Sequence, residues 1–207
     1  MPKIIKNFFV FEGLDGSGTT TQIKLLVKHF CATGKKVLET CEPTKLITGE
    51  FLRSCLSGKF SVDSKTMLML FAADRNEHLF SKDGILAALE TQDYVISDRY
   101  LFSSLAYQGA SGHFDLAKKF NEDFPLPEIL FFLDTSTETA FSRVEKRANT
   151  KEIYETKLFQ AKVKKMYKKV LELYNNSGMK IVVIDGNKSI EEVHKQVLNS
   201  LDRCEKL

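Results

Sequence analysis

Apolar residues along the chain fall into two kinds of pattern. Five short runs are almost continuously apolar and rich in β-branched and aromatic side chains: residues 8–12 (FFVFE), 36–40 (KVLET), 94–98 (YVISD), 129–134 (ILFFLD) and 180–185 (KIVVID). A strand with one wet face would alternate, so an unbroken run predicts a strand buried on both faces, as in a parallel sheet. Between the runs, apolar positions recur with the helical period. Ile23, Leu26, Val27 and Phe30 stand at i, i+3, i+4 and i+7, and Gly34 supplies a stop. A long helix is expected around residues 63–77. Strand and helix therefore alternate, which predicts an α/β fold with a parallel sheet. No repeat or low-complexity linker divides the 207 residues, and that length suits one domain, residues 1–207.

Composition narrows the picture. At 43% hydrophobic and 28% charged, the chain is neither disordered nor collagen-like. No apolar run approaches the roughly 18 residues of a membrane span, so no membrane partner is expected. The opening MPKIIKNFFVFEG has too short an apolar stretch for a secretion signal and runs into a glycine-rich loop, so it is read as the first strand. Thirty Lys and Arg against 27 Asp and Glu leave a net charge of +3, which does not call for nucleic acid. Cys31, Cys41, Cys55 and Cys204 match no zinc spacing and read as reduced thiols of a cytoplasmic protein.

Three constellations carry chemistry. Directly after the first strand comes Gly13-Leu14-Asp15-Gly16-Ser17-Gly18-Thr19-Thr20-Thr21, with a helix following at once. Successive backbone N–H groups in such a loop form a concave anion site, and the helix N-terminus adds partial positive charge. The phosphate-loop pattern G-x-x-x-x-G-K-[ST] is met at Gly13, Gly18 and Thr20, while Thr19 stands in the lysine position. An ordinary strand-to-helix turn is the other reading. At the end of the third strand, Asp98 stands where open α/β sheets bind ligands. It could hold Mg²⁺ or orient an attacking oxygen, and Arg99 beside it could clamp a phosphate. A helix-capping Asp with a salt-bridged Arg would look the same. Finally, Phe71, Arg75 and His78 share one helical face, which suits an aromatic base with carbonyl oxygens, or plain core packing.

The ordered set of F-E-G-L-D-G-S-G, E-P-T at 42–44, F-A-A-D-R at 71–75, D-R-Y-x-x-S-S-x-A-Y-Q at 98–108 and I-D-G-N-x-S-I-E-E-V-H from Ile184 resembles the thymidylate kinase family over nearly the whole chain. That resemblance implies a P-loop kinase fold with a five-stranded parallel sheet flanked by helices and a small mobile lid, approximately residues 143–155. It implies a homodimer that transfers the γ-phosphoryl group of ATP to dTMP with Mg²⁺. It places ATP on Gly13, Gly16, Ser17, Gly18, Thr19, Thr20 and Thr21, with Asp185 and Asn187 near the adenine. Thr20 and Asp98 would hold the metal. Asp15 would reach the dTMP sugar, Glu42 and Pro43 would border the monophosphate pocket, and Arg99 would grip the acceptor phosphate. Phe71 would stack on thymine, with Arg75 on a carbonyl oxygen and Ser103, Ser104 and Gln108 near the base edge. Tyr107 would press on the sugar and disfavour a ribose. Asp98, Arg99, Asp15, Arg143 and Arg147 would carry catalysis.

The chain departs from the family pattern at Thr19, at Cys41 (often Arg) and at Glu152 (often Arg), and no arginine lies within the loop. Residues 143–169 are dense in Lys and Arg, and Arg143 and Arg147 lie one helical turn apart, so a lid could restore the missing charge. A slow or inactive nucleotide-binding relative, or a kinase of shifted deoxynucleoside monophosphate specificity, are the alternatives.

Overall fold

Each apolar run forms a strand, and the strands join into one sheet whose inner strands β1, β3 and β4 are buried on both faces, while the edge strands β2 and β5 are partly exposed. The computed structural model describes residues 3–146 and 156–202. In chain order these form β1 (Ile4–Gly13), α1 (Thr19–Ala32), β2 (Val37–Cys41), α2 (Ile47–Leu56), α3 (Ser64–Phe80), the single turn α4 (Ile85–Ala88), β3 (Tyr94–Asp98), α5 (Leu101–Ala110), α6 (Phe114–Asn121), β4 (Leu126–Asp134), α7 (Thr137–Glu145), α8 (Lys157–Tyr174), β5 (Lys180–Asp185) and α9 (Ile190–Asp202). The sheet is all parallel, in the order β2-β3-β1-β4-β5.

The pleat of β1 explains its unbroken apolar run. Phe8 and Val10 enter one core cluster with residues of α5 and α8, while Phe9 and Phe11 enter a second with α1 and α9. β4 divides the same way: Leu130 and Phe132 face the first cluster, and Ile129, Phe131 and Leu133 the second. Phe11 and Phe131 stack across adjacent strands with ring centroids 4.7 Å apart. β1 begins four residues before its apolar run, interrupted by an irregularity between Ile5 and Phe9 where Asn7 adopts φ 60°. β2 is displaced by one residue from its run and ends at Cys41.

α1 ends as its sequence predicts. Thr33 is the C-cap, and Gly34 follows at φ 79°, a left-handed conformation that costs glycine nothing. The Gly34 N–H donates to the Cys31 carbonyl and the Lys35 N–H to that of Phe30, both at 3.0 Å, closing the helix. α3 starts one residue later than expected because Asp63 is its cap, accepting from the Lys65 N–H, and it runs on to Phe80.

β3 and β4 are consecutive in sequence but flank β1, so the strand order reverses around β1. The carboxyl end of β1 is therefore at the switch point, where neighbouring connections depart to opposite sides and leave a crevice. Removing the Phe131 ring should cost about 3–5 kcal/mol, because it opens a cavity in a layer closed on both sides. Phe131→Ala should show this as a lower urea midpoint with an unchanged m-value.

Candidate active site

The crevice is a cleft of about 1010 Å³ between the β1–α1 loop, the β2–α2 loop, α3 and the start of α5. The β1–α1 loop wraps closely around its own backbone. Gly16 has φ 82°, and a Cβ there would fall 2.3 Å from the Ala140 carbonyl oxygen, so α7 packs against bare backbone. Gly18 caps α1 at φ 101° with no side-chain cap, which leaves the first N–H groups of the helix directed into the loop. Gly16, Gly18, Thr19 and Thr20 line the cleft, whereas Gly13, Ser17 and Thr21 form its supporting wall. This arrangement is an anion cradle.

Thr20 in the first turn of α1 donates its hydroxyl to Asp98 Oδ2 at 2.5 Å. Asp98 ends β3 and does not cap α5; Tyr100 occupies the cap position. The loop and the third-strand constellation thus form one site.

Arg99 is its centre. The residue has φ 73°, a left-handed conformation unfavourable for a non-glycine residue, and it turns the guanidinium under the loop. That guanidinium pairs with Asp15 and donates to the Ser103 hydroxyl at 2.9 Å, with the Tyr107 and Tyr167 hydroxyls at 3.4 Å. Asp15 also accepts from Tyr107 at 2.9 Å and from Gln160 at 2.7 Å. Burial works against the Arg99 charge, but Tyr107, Asp15, Tyr167 and Glu12 together hold it firmly protonated. Burial likewise pushes the Tyr107 and Tyr167 phenols up, helped by Asp15 and Glu12 respectively, so both act as neutral donors.

Glu12 lies below this group, wholly buried. It accepts from the Tyr100 and Ser103 backbone N–H groups at 2.9 and 3.0 Å, the Ser103 hydroxyl at 2.5 Å and the Tyr167 hydroxyl at 2.8 Å. Burial raises its carboxyl to about 7, against the opposing pull of Arg99 and of these donors.

A second guanidinium occupies the far wall. Arg75 is 1% exposed and donates to Glu42 at 2.6 Å, to Asn121 at 2.5 Å and to Ser104 at 2.9 Å. Glu42 also meets His78 Nδ1 at 3.1 Å, and His78 Nε2 meets the Thr40 hydroxyl at 2.7 Å. The Glu42 carboxylate therefore faces the Arg75 side of the cleft. Phe71 and Pro43 line the same wall. Gln108 lines it too, fully buried, with neither its amide oxygen nor its amide nitrogen hydrogen-bonded. A buried amide left in this state costs free energy until something completes it.

Four cationic side chains line the cleft: Lys45, Arg53, Arg75 and, paired with Asp15 of the glycine loop, Arg99. Arg53 donates to the Pro43 carbonyl and lies 3.5 Å from the Cys41 sulfur, so α2 brings a guanidinium beside Cys41. Arg143 in α7 meets the loop from its carbonyl side. It donates to Gly186 at 3.1 Å and Ser17 at 3.2 Å and lies 3.5 Å from the Gly16 carbonyl, tying the loop to the end of β5. Asp185 and Asn187 lie there, outside the cleft lining, with Asn187 Nδ2 donating to Asp185 at 2.9 Å. Arg147 and Glu152 lie outside the described residues.

Sequence reasoning missed Glu12, Asn121, Gln160, Tyr167, Lys45 and Arg53 as members of the site. Only Glu12 carried a local signal, an acid closing an otherwise apolar strand. Because the fold holds Glu12 protonated more readily than the open chain does, its stabilising contribution is full below about pH 4.5 and is lost as pH rises through about 7. The melting temperature of the ligand-free protein should therefore carry a decline between pH 5 and 8 that Glu12→Gln lacks, measured by calorimetry across that range.

Comparison with known proteins agrees with this geometry. The family model for thymidylate kinase matches residues 11–197. A protein of Treponema pallidum (strain Nichols) is 40% identical over 208 residues, covering 99% of each chain. The thymidylate kinase of Leptospira interrogans (serovar copenhageni) is 36% identical over 194 residues, covering 92% of this chain and 91% of its own. The structure of thymidylate kinase from Candida albicans superposes with a TM-score of 0.78 at 21% identity, covering 96% of this chain and 92% of that one, and shares the fold. With a glycine loop at the switch point of a five-stranded parallel sheet, a family model matched over residues 11–197 and relatives matched over nine-tenths or more of their length, the chain belongs to the thymidylate kinase family.

Proposed function

We propose that the cleft transfers the γ-phosphoryl group of ATP to dTMP, giving dTDP and ADP, with ATP on the glycine loop and dTMP against α3 and α5. The observation that carries the acceptor assignment is the Gln108 amide, buried at the cleft with neither polar atom satisfied. An adjacent imide N–H and carbonyl oxygen, as on thymine, complement an amide's acceptor and donor. Ser104 and Arg75 stand beside it for the carbonyl edge, and Phe71 supplies a ring for stacking. Tyr107, held by Asp15, would press on the sugar and disfavour a 2′-hydroxyl. Arg99 grips the acceptor phosphate, and Pro43 borders its pocket.

An oxygen of the dTMP phosphate attacks the γ-phosphorus in line, and the bond to the β–γ bridging oxygen breaks with its electron pair leaving on ADP. The protein's part is alignment and positive potential around the equatorial oxygens. Glycine-loop N–H groups and Arg99 supply these on either side. Thr20 and Asp98 offer a hydroxyl and a carboxylate within 2.5 Å of each other, the hard-oxygen set that Mg²⁺ takes alongside waters and phosphate oxygens. Bound there, Mg²⁺ would neutralise charge on the β- and γ-phosphates.

Residues 1–207 read as one domain; of the lid expected at 143–155, residues 147–155 lie outside the described residues. Asp185 and Asn187 approach the adenine. Exposed Ile47, Phe51 and Met69 on α2 and α3 support the homodimer. Unpaired Cys31, Cys41 and Cys55 support a cytoplasmic location. Among the described residues, no helix is long and apolar enough to cross a membrane.

A coupled ADP-production assay with dTMP, dUMP or no acceptor, run beside dTMP calorimetry, tests the whole reading. Turnover dependent on dTMP is expected, and binding without turnover would overturn the kinase assignment. Gln108→Ala should raise the KM for dTMP by about 10–100-fold with little change in the KM for ATP, the scale of one buried amide reading a base edge. Thr19→Lys should raise kcat/KM for ATP by about tenfold or more, since one preorganised donor to developing phosphate charge carries at least that much. Steady-state kinetics at saturating dTMP measure it, and an unchanged value would mean that the loop no longer uses the position.

A further inference from the structure

Glu12 belongs to the strand beneath the glycine loop and does not itself line the cleft, yet its carboxylate is bound by Tyr100 and Ser103, which do. We propose that Glu12 is a positioning residue for phosphoryl transfer: it fixes the backbone on both sides of Arg99 and so sets where the acceptor-side guanidinium stands relative to the loop. The inference rests on the reading of Arg99 as the dTMP-phosphate ligand.

The geometry supports this from three directions. Tyr100 and Ser103 are the residues whose N–H groups open α5, and helix starts leave such donors without partners. No side chain of α5 caps them, and Glu12 takes both, reaching across from β1. Arg99 immediately precedes that cap and holds φ 73°, a conformation that persists only where its surroundings impose it. The Arg99 N–H donates to the Phe11 carbonyl at 2.9 Å, so the residue is tied to β1 at Phe11 and, through Tyr100, at Glu12. The Ser103 and Tyr167 hydroxyls that donate to Glu12 are also the ones that contact Arg99 Nη1. One carboxylate therefore orients both the main chain and the side-chain neighbours of the guanidinium. It also couples the acceptor side to the donor side, because Glu12 is followed at once by Gly13 of the loop.

Glu12→Gln tests this with little change of shape. The amide oxygen can still accept from the two N–H groups, and Tyr167 has another acceptor in the Gly13 carbonyl at 3.3 Å. Steady-state kinetics on the full-length protein should show the KM for dTMP raised about tenfold and kcat lowered, with the KM for ATP within about twofold of the parent, as expected for loss of a charge-assisted hydrogen-bond set around Arg99 alone. Tyr167→Phe, which removes one donor and leaves the carboxylate, should shift the same parameter in the same direction by a smaller factor, and it decides the matter should Glu12→Gln fail to fold. Parent-like dTMP kinetics in the folded Glu12→Gln protein, or in Tyr167→Phe where Glu12→Gln does not fold, would overturn the proposal, even with an altered melting temperature. So would equal losses for ATP and dTMP. Arg99→Ala run in parallel separates the two levels. If it leaves dTMP affinity intact by calorimetry, the reading of Arg99 fails; if it abolishes that affinity while Glu12→Gln changes nothing, only the positioning role fails.

Discussion

A guanidinium kept charged where little water reaches it is the constraint on which the cleft is built. Burial alone would drive Arg99 toward neutrality, and the cost is met by surrounding it with Asp15, Glu12 and three hydroxyls. Those partners come from separate parts of the chain: the central strand, the glycine loop, α5 and α8. Convergence of this kind is possible only at the end of β1, where the strand order reverses and connections leave to opposite sides. The unusual backbone of Arg99 belongs to the same arrangement, since it is retained by contacts on every side.

The far wall repeats the device with different chemistry. Arg75 is more deeply buried than Arg99, and Glu42, Asn121 and Ser104 satisfy most of its donors. Glu42 is fixed in turn by His78. Within this network the Gln108 amide stands out, because both of its polar atoms are buried without a partner, whereas of the Arg75 guanidinium only Nε is. A wall that is rigid, charged and short of one hydrogen-bonding pair selects its ligand by leaving that pair unpaid when the wrong one enters.

The donor side is assembled more lightly. The loop has its backbone cradle and the helix terminus behind it, but Thr19 brings no charge, and Arg143 reaches the loop's carbonyl oxygens instead of its anion-facing N–H groups. Arg143 thereby stiffens the loop and joins it to the end of β5. Among the described residues, the positive side chains that line the cleft are Lys45, Arg53, Arg75 and Arg99, and none of them belongs to the glycine loop.

Much of the fold could be read from the chain, because burial on both faces leaves an unmistakable mark on a strand and a 3.6-residue period leaves one on a helix. All five strands lie where their apolar runs stand, and Gly34 and Asp63 close and open helices for local reasons that residue chemistry supplies. The glycine loop, and Asp98 with Arg99, were likewise legible, since each stands at the junction of its own strand and helix, β1–α1 and β3–α5. Which partners would complete them was not. Tyr167 sits in a lysine-rich helical stretch that reads as a solvated face, Asn121 at the end of a short helix, and Glu12 inside an apolar run. Sequence by itself determined the elements, their parallel assembly and the segments that meet ligands, because these follow from local periodicity and turn chemistry. Tertiary structure alone decided which charge stands against which, because pairing between residues as far apart in the chain as Arg75 and Glu42 or Arg99 and Asp15 depends on strand order and helix docking, and no local pattern encodes that.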